Sequence, residues 1–193
     1  MENKTGEIIS EKLLAQSPIF TVYDRQVKSS FDGVVVHRQV VDHGNSIAVL
    51  PFERINDDYK LYLSEEFRAG MNTTTKGIVA GMVNGDEAPD HAAKRELREE
   101  MGLLLNSSSD LVLVDRINTS EGFTNEQTYI YLVELTTNNH NFTDKRDFDK
   151  DEDVGKWEYI ASTLELNKLP SVLDIHSAQG VVALQGLFIY LNS

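Results

Sequence analysis

Residues 81–103, GMVNGDEAPDHAAKRELREEMGL, constrain this chain more than any other stretch. They read as a loop with two glycines (Gly81, Gly85), a helix and a stop. Pro89 suits a first helical turn, where its missing N–H leaves nothing unsatisfied. Asp90 follows near the positive end of the helix dipole. Residues 92–101 are mostly good helix formers. Gly102 stands where a left-handed residue would end the helix. Glu96 and Glu100 are four residues apart and Glu99 is three from Glu96, so three carboxylates crowd one helix edge. Ala93, Leu97 and Met101 form an adjacent apolar stripe that can dock on a core. Like charges at this spacing cost an isolated helix about 0.2–0.5 kcal/mol per pair. A divalent cation reverses that sign. Clustered oxygen ligands without His or Cys suit Mg²⁺ or Mn²⁺, not Zn²⁺. Arg95 lies beside this edge, able to hold a carboxylate by a forked hydrogen bond.

The same stretch resembles the Nudix box, G-x5-E-x7-R-E-U-x-E-E-x-G-U, where U is a bulky aliphatic residue. Gly81, Glu87, Arg95, Glu96, Leu97, Glu99, Glu100, Gly102 and Leu103 match it. The resemblance implies a Nudix hydrolase, an α/β fold built as an α/β/α sandwich with a mixed sheet. It implies hydrolysis of a nucleoside diphosphate linked to another group. Mg²⁺ would be the cofactor and Mn²⁺ a substitute. The implied metal ligands here are Glu96, Glu99, Glu100 and the backbone carbonyl of Ala80. Arg95 would orient the helix carboxylates and Glu87 would brace the loop.

Two further segments, HRQVVDHGNSIAVLPF (37–52) and LYLSEEFRAG (61–70), resemble the ADP-ribose pyrophosphatase branch of that family. Members carry a small N-terminal β-unit, an R-x-V/I-V segment, a G-A-V-x-V-L-P strand and a Q-x-R motif. Arg38 and Arg68 stand at the arginines, and Glu66 replaces the glutamine. The resemblance implies a β-rich unit over 1–44 that builds a homodimer, then a hydrolase domain over 45–193. Residues 71–80 keep Ala80 but have Gly77 in place of a glutamate, and no aromatic, so the branch's adenine platform is altered. Ser120, Gly122 and Glu126 match the branch's S-P-G-G-x-x-E segment, with Glu121 and Phe123 as departures. Together with Arg38 and Arg68 they are the implied substrate-binding residues. In 138–153 the branch's E-x-E becomes D-K-D-E-D, with Lys150 at the first acid and Glu152 at the second. Glu152 is thus the implied further metal ligand and general base, with Asp149 and Asp151 as rivals.

The implied reaction is cleavage of a nucleotide sugar, ADP-ribose giving AMP and ribose 5-phosphate. Two alternatives stand beside it: GDP-mannose or another nucleotide sugar, and a nucleotide-sugar sensor without catalysis.

Composition agrees with a small anionic substrate handled through a cation. Net charge is −13, from 31 acidic and 18 basic residues. Such a surface repels nucleic acid and anionic membranes, whereas a bound divalent ion inverts the field locally. With no cysteine, disulfides and thiolate chemistry are excluded. Residues 1–20 lack an apolar core behind a basic start, and no apolar run approaches membrane-spanning length. The expectation is a cytoplasmic protein without membrane or nucleic-acid partners.

Elsewhere the pattern predicts many strands. Residues 1–17 read as a short helix or a loose arm. Strands are expected at 19–23, 34–36, 40–41, 61–63, 111–114, 128–135 and 157–160, with a buried strand at 47–52 ended by Pro51. A short helix is expected at 162–168 and a closing core helix at 174–191. The five histidines (His37, His43, His91, His140, His176) have no ligand spacing and read as structural or surface residues.

Overall fold

The computed structural model describes residues 5–143 and 154–193. They divide into two units, one of Met1–Asn45 with Asn118–Gln127, the other of Ser46–Ile117 with Thr128–Ser193.

In the first unit, β1 (Gly6–Gln16), β2 (Thr21–Ser29) and β3 (Val35–Asp42) form an antiparallel sheet in that order. Residues 6–16 are therefore a strand, neither helix nor loose arm. Two β-bulges, between Ile8 and Ser10 and between Leu13 and Ala15, put an extra residue into β1 each time. The first of them puts Ile8, opposite Val27, and Leu13, opposite Tyr23, on one face, although the spacing of Ile8 and Leu13 is odd. The valines expected as two strands lie on the single strand β3. The 118–127 loop joins this unit through Val41, whose N–H donates to the Phe123 carbonyl at 2.7 Å. Asn125 Nδ2 also donates to Asp42 Oδ1 at 2.7 Å.

The second unit is an α/β/α sandwich, as the sequence led one to expect. Its strands are β4 (Ser46–Ile55), β5 (Asp58–Arg68), β6 (Thr73–Gly77), β7 (Val79–Met82), then β8 (Leu103–Leu105) after helix α1 (Pro89–Met101). Next come β9 (Leu111–Asn118), β10 (Gln127–Glu134), β11 (His140–Phe142) and β12 (Gly155–Ser162). Helices α2 (Leu169–Leu173) and α3 (Ala178–Leu191) close the chain. Among the described residues a seven-stranded sheet runs β12-β5-β4-β10-β9, with β6 beside β5 and β7 beside β4. It is mixed: β4 is parallel to β10 and antiparallel to β5 and β7. A separate ribbon pairs β8 with β11.

Both faces of this sheet are covered, which explains the unbroken apolar run of β4. Ile47 and Val49 point to the side of α1, with Ala93, Leu97 and Met101. Ala48, Leu50 and Phe52 point to the opposite side, with Leu169, Leu184 and Leu187 from α2 and α3. Pro51 does not end β4. Phe52 O accepts from the Leu135 N–H at 2.7 Å, so the polar groups of Phe52 face β10. The nitrogen of Pro51 then faces the other edge. There β4 changes partner from β7, last paired at Val49, to β5, first paired at Phe52. No ladder bond is lost at that gap.

Three other expectations shift. Residues 73–77 and 79–82, anticipated as lead-in to the helix, are strands. The stretch 162–168 ends β12 and continues as a 3₁₀ turn at Leu166–Lys168 before α2. The closing helix starts at Ala178, because Asp174 takes a left-handed φ of 57° and caps α2.

Candidate active site

Helix α1 begins after Ala88 with Pro89 in its first turn and Asp90 behind it. Gly102 ends it at φ 67°, its N–H returning to the carbonyls of Arg98 and Leu97. The Ala93–Leu97–Met101 stripe is buried against β4 and β7. That docking turns the acidic edge toward the strand that precedes the helix. Glu96 and Glu100 are buried, at 7% and 5% exposure. Burying two carboxylates is costly unless partners compensate.

The partners are specific. Arg95 forks onto Glu87, Nε donating to Oε1 at 3.2 Å and Nη2 to Oε2 at 3.1 Å. Its Nη1 donates to Glu96 Oε1 at 2.6 Å and to Glu99 Oε2 at 2.9 Å. Nη2 also donates to the Met82 carbonyl at 2.7 Å, pinning the end of β7. Burial opposes the charge on Arg95. The bonds to Glu87, Glu96 and Glu99 outweigh it, so the guanidinium pKa lies above its ordinary value. The bond from Arg95 also holds the Glu87 carboxyl below its usual range, with burial opposing and the Asn84 amide helping. Glu87 fastens the loop as well: it accepts from Asn84 N–H, and Asn84 O accepts from Glu87 N–H at 2.9 Å.

Glu100 Oε1 accepts from the Ala80 N–H at 3.3 Å. In a strand the N–H and C=O of one residue share an edge, so the Ala80 carbonyl is directed to that same side. Gly81 lies against Glu96: a Cβ built at Gly81 would overlap the Glu96 carboxylate, at Oε1 and Cδ. Only glycine leaves room for that carboxylate to rest on the backbone.

Among the described residues no three carboxylate or imidazole groups converge on one point. Arg95 instead gathers Glu87, Glu96 and Glu99 to itself, one positive charge against three negative. The donor set still fits a hard cation: oxygen only, largely buried, with excess negative charge and a backbone carbonyl on the same edge.

The other expected residues fall as follows. Arg68, at the end of β5, pairs through Nη2 with Glu66 Oε2 at 2.8 Å. Arg38 lies on β3 in the first unit, solvent-exposed, its Nη1 donating to the His37 carbonyl at 3.0 Å. Ser120, Gly122 and Glu126 lie in the loop of that unit. The Ser120 carbonyl accepts from Phe123 and Thr124, both at 3.0 Å, making a tight turn around Gly122. Glu126 Oε2 accepts from Thr119 Oγ1 at 2.8 Å. Glu152, Asp149 and Asp151 lie outside the described residues. Met82 is not legible in the sequence as a site residue, because its contribution is a backbone carbonyl. Gly81 was visible only as a motif position, without the close approach that explains it.

Comparison with known proteins follows the same lines. The family model for the NUDIX domain matches residues 44–175. An ADP-ribose pyrophosphatase of Bacillus subtilis strain 168 is 30% identical over 184 residues, 93% of each chain. One from Mycobacterium tuberculosis is 32% identical over 128 residues, 66% of this chain and 58% of its own. A methanol dehydrogenase activator of Bacillus methanolicus is 27% identical over 190 residues, 94% of this chain and 95% of its own. In fold, the chain is similar to a crystal structure of an ADP compounds hydrolase. The TM-score is 0.77 at 21% identity, over 98% of this chain and 95% of that one.

Proposed function

This chain belongs to the Nudix family and is a Nudix hydrolase, and from that premise we propose that it cleaves the diphosphate of ADP-ribose. Water adds at one phosphorus, the bond from that phosphorus to the bridging oxygen breaks, and AMP and ribose 5-phosphate leave as dianions with the release of two protons. The observation that carries the reading is the acidic edge of α1, pressed against Gly81 and held by Arg95. The relatives named ADP-ribose pyrophosphatase favour the substrate.

Glu96, Glu99, Glu100 and the Ala80 carbonyl would hold Mg²⁺, with Glu152 as a further ligand. Bound there, the ion would supply Lewis acidity to the diphosphate and lower the pKa of a coordinated water. Arg95 keeps Glu96 and Glu99 oriented, and through Met82 and Glu87 it fixes the strand and loop on either side of them. Glu152, or Asp149 or Asp151, would take the proton from water. Arg38 and Arg68 offer planar guanidinium groups to phosphate or sugar oxygens. The loop at Ser120, Gly122 and Glu126 would border the substrate. The three-stranded sheet would pair two copies into a homodimer, for it leaves Ile8 and Leu13 54% and 52% exposed.

The test is release of the nucleoside monophosphate with Mg²⁺ across a panel of ADP-ribose, GDP-mannose and UDP-glucose, which would give AMP, GMP and UMP respectively. ADP-ribose is expected to show the highest kcat/KM. Glu100→Gln should keep its fold and lose more than about 100-fold in turnover, the upper end for residues that merely support a metal ligand. Preference for GDP-mannose would move the substrate. Binding without cleavage in Mg²⁺ or Mn²⁺ would make the protein a sensor. Full turnover by Glu100→Gln would overturn the assigned role.

A further inference from the structure

A cleft of about 660 Å³ opens on the α1 side of β5 and β12. Sites for small organic ligands fall in the range of about 300–1,000 Å³. Lys60 and Tyr62 of β5 and Lys156 and Glu158 of β12 line it, with Met101 at the end of α1 and Phe142 on β11. Glu158 is directly opposite Tyr62 in the ladder, so these side chains share one face.

Two features of the cleft belong to different parts of one ligand. The first is aromatic. Phe142 is 50% exposed although its ring is already fixed. It lies 5.6 Å from the Tyr62 ring at 35° and meets His140 edge-on at 5.2 Å. A fixed ring with half its surface open is a platform for another flat ring. The second is cationic. Lys156 Nζ donates to the Met101 carbonyl at 2.9 Å. Lys60 Nζ stands 4.8 Å over the Tyr62 ring and 2.8 Å from Glu158 Oε2. Two lysines in one cleft are notable in a chain of net charge −13. The Tyr62 phenol is not a second acid here. Burial, then its bond to Glu53, pushes its pKa up to about 12, so it stays a neutral donor to Glu53.

We propose that this cleft is a second binding site, which takes a nucleoside monophosphate by stacking its base on Phe142 and holding its phosphate between Lys156 and Lys60. A sugar phosphate would leave the Phe142 ring uncovered, and an uncharged aromatic would leave Lys156, bonded to the neutral Met101 carbonyl, without an anion, while Lys60 has Glu158 beside it. The choice of AMP as ligand rests on the proposed reaction, of which it is a product. The cleft shares no lining residue with the acidic edge of α1 and requires no divalent ion.

The test is titration of AMP and of ribose 5-phosphate into the full chain in EDTA, followed by calorimetry. AMP is expected to bind and ribose 5-phosphate to bind at least about tenfold more weakly, the scale of one lost stacking contact. Phe142→Ala, at an exposed position, and Lys156→Met should each weaken AMP by about tenfold or more, while Glu100→Gln leaves it unchanged. No binding of AMP in EDTA, equal binding of the two phosphates, or AMP binding indifferent to both cleft variants would each overturn the proposal. Turnover of the wild-type chain on the nucleotide-sugar panel with Mg²⁺ is read separately, so failure there removes the proposed reaction and not the cleft.

Discussion

The two sheets are built on opposite terms. The seven-stranded sheet buries both faces, and its central strand β4 carries Ile47, Ala48, Val49, Leu50 and Phe52 at zero exposure. The three-stranded sheet has no such residue, and its strands are exposed or half-buried throughout. One side of it carries Ile8, Val27 and Val36 in one row and Leu13, Tyr23 and Val40 in another, with Glu11, Arg25 and Arg38 between. The other side is mixed: Val22 faces Val41, while Asp24 accepts from Gln39 Nε2 at 2.8 Å and faces His37 Nδ1 at 2.7 Å. The large sheet is therefore stabilised by its own helices. The small one presents two exposed apolar rows on either side of a charged row, and uncovered apolar surface marks a contact with another molecule more than a core.

The largest effect that would test this contrast is in the large sheet. Phe52→Ala removes a fully buried ring between β4 and α3, where it meets Tyr190 edge-on at 6.1 Å. A loss of about 3–5 kcal/mol is expected in denaturant unfolding. A loss under about 1 kcal/mol would mean the layer beneath α3 is not packed as described.

Next is the place where the large sheet is deliberately left open. Gly81→Ala puts a methyl group where the Glu96 carboxylate rests. The clash meets the free end of a side chain, not backbone, so the strand keeps its place and the carboxylate gives way. Turnover with Mg²⁺ should fall about 10–100-fold, as when a ligand's support is removed. The unfolding midpoint should move little. Turnover unchanged would show that Glu96 need not lie against Gly81. A large drop in stability would show instead that the strand itself had moved.

Legibility in the sequence divides along the same line. Helix α1 was readable because every local signal agreed: Pro89 at the start, Gly102 at the end, an apolar stripe and an acidic edge between them. Strand β4 was readable as a continuous apolar run, although Pro51 looked like a terminus until the change of partner strand was known. β1 was not readable, because two bulges break the alternation and leave the doublets Ile8-Ile9 and Leu13-Leu14, which mimic a helical face. β6 carries Thr73, Thr74 and Thr75, whose strand character shows only once β5 is beside it. In the site, carboxylates and Arg95 announce themselves by type and spacing. The Met82 carbonyl and the Gly81 contact do not, since a backbone atom and an absent side chain leave no chemical signature in a sequence. The grouping of residues 118–127 with β3 is equally invisible, because it rests on bonds between positions some eighty apart in the chain.

The smallest effect on stability belongs to the small sheet, and it discriminates best. Leu13 sits opposite Tyr23, more than half exposed. Leu13→Asp in an isolated subunit exchanges one solvated side chain for another, and such changes stay within about 0.5 kcal/mol. In the proposed homodimer the same carboxylate would be buried beside a second copy without a partner, which is strongly unfavourable. Light scattering should then show a dimer for the parent chain and a monomer for Leu13→Asp, with the unfolding of the dilute protein almost unchanged. A dimer surviving Leu13→Asp would move the interface to another surface. A monomeric parent chain would leave the apolar side of the small sheet as simple solvated surface, and the contrast between the sheets would then rest on packing alone.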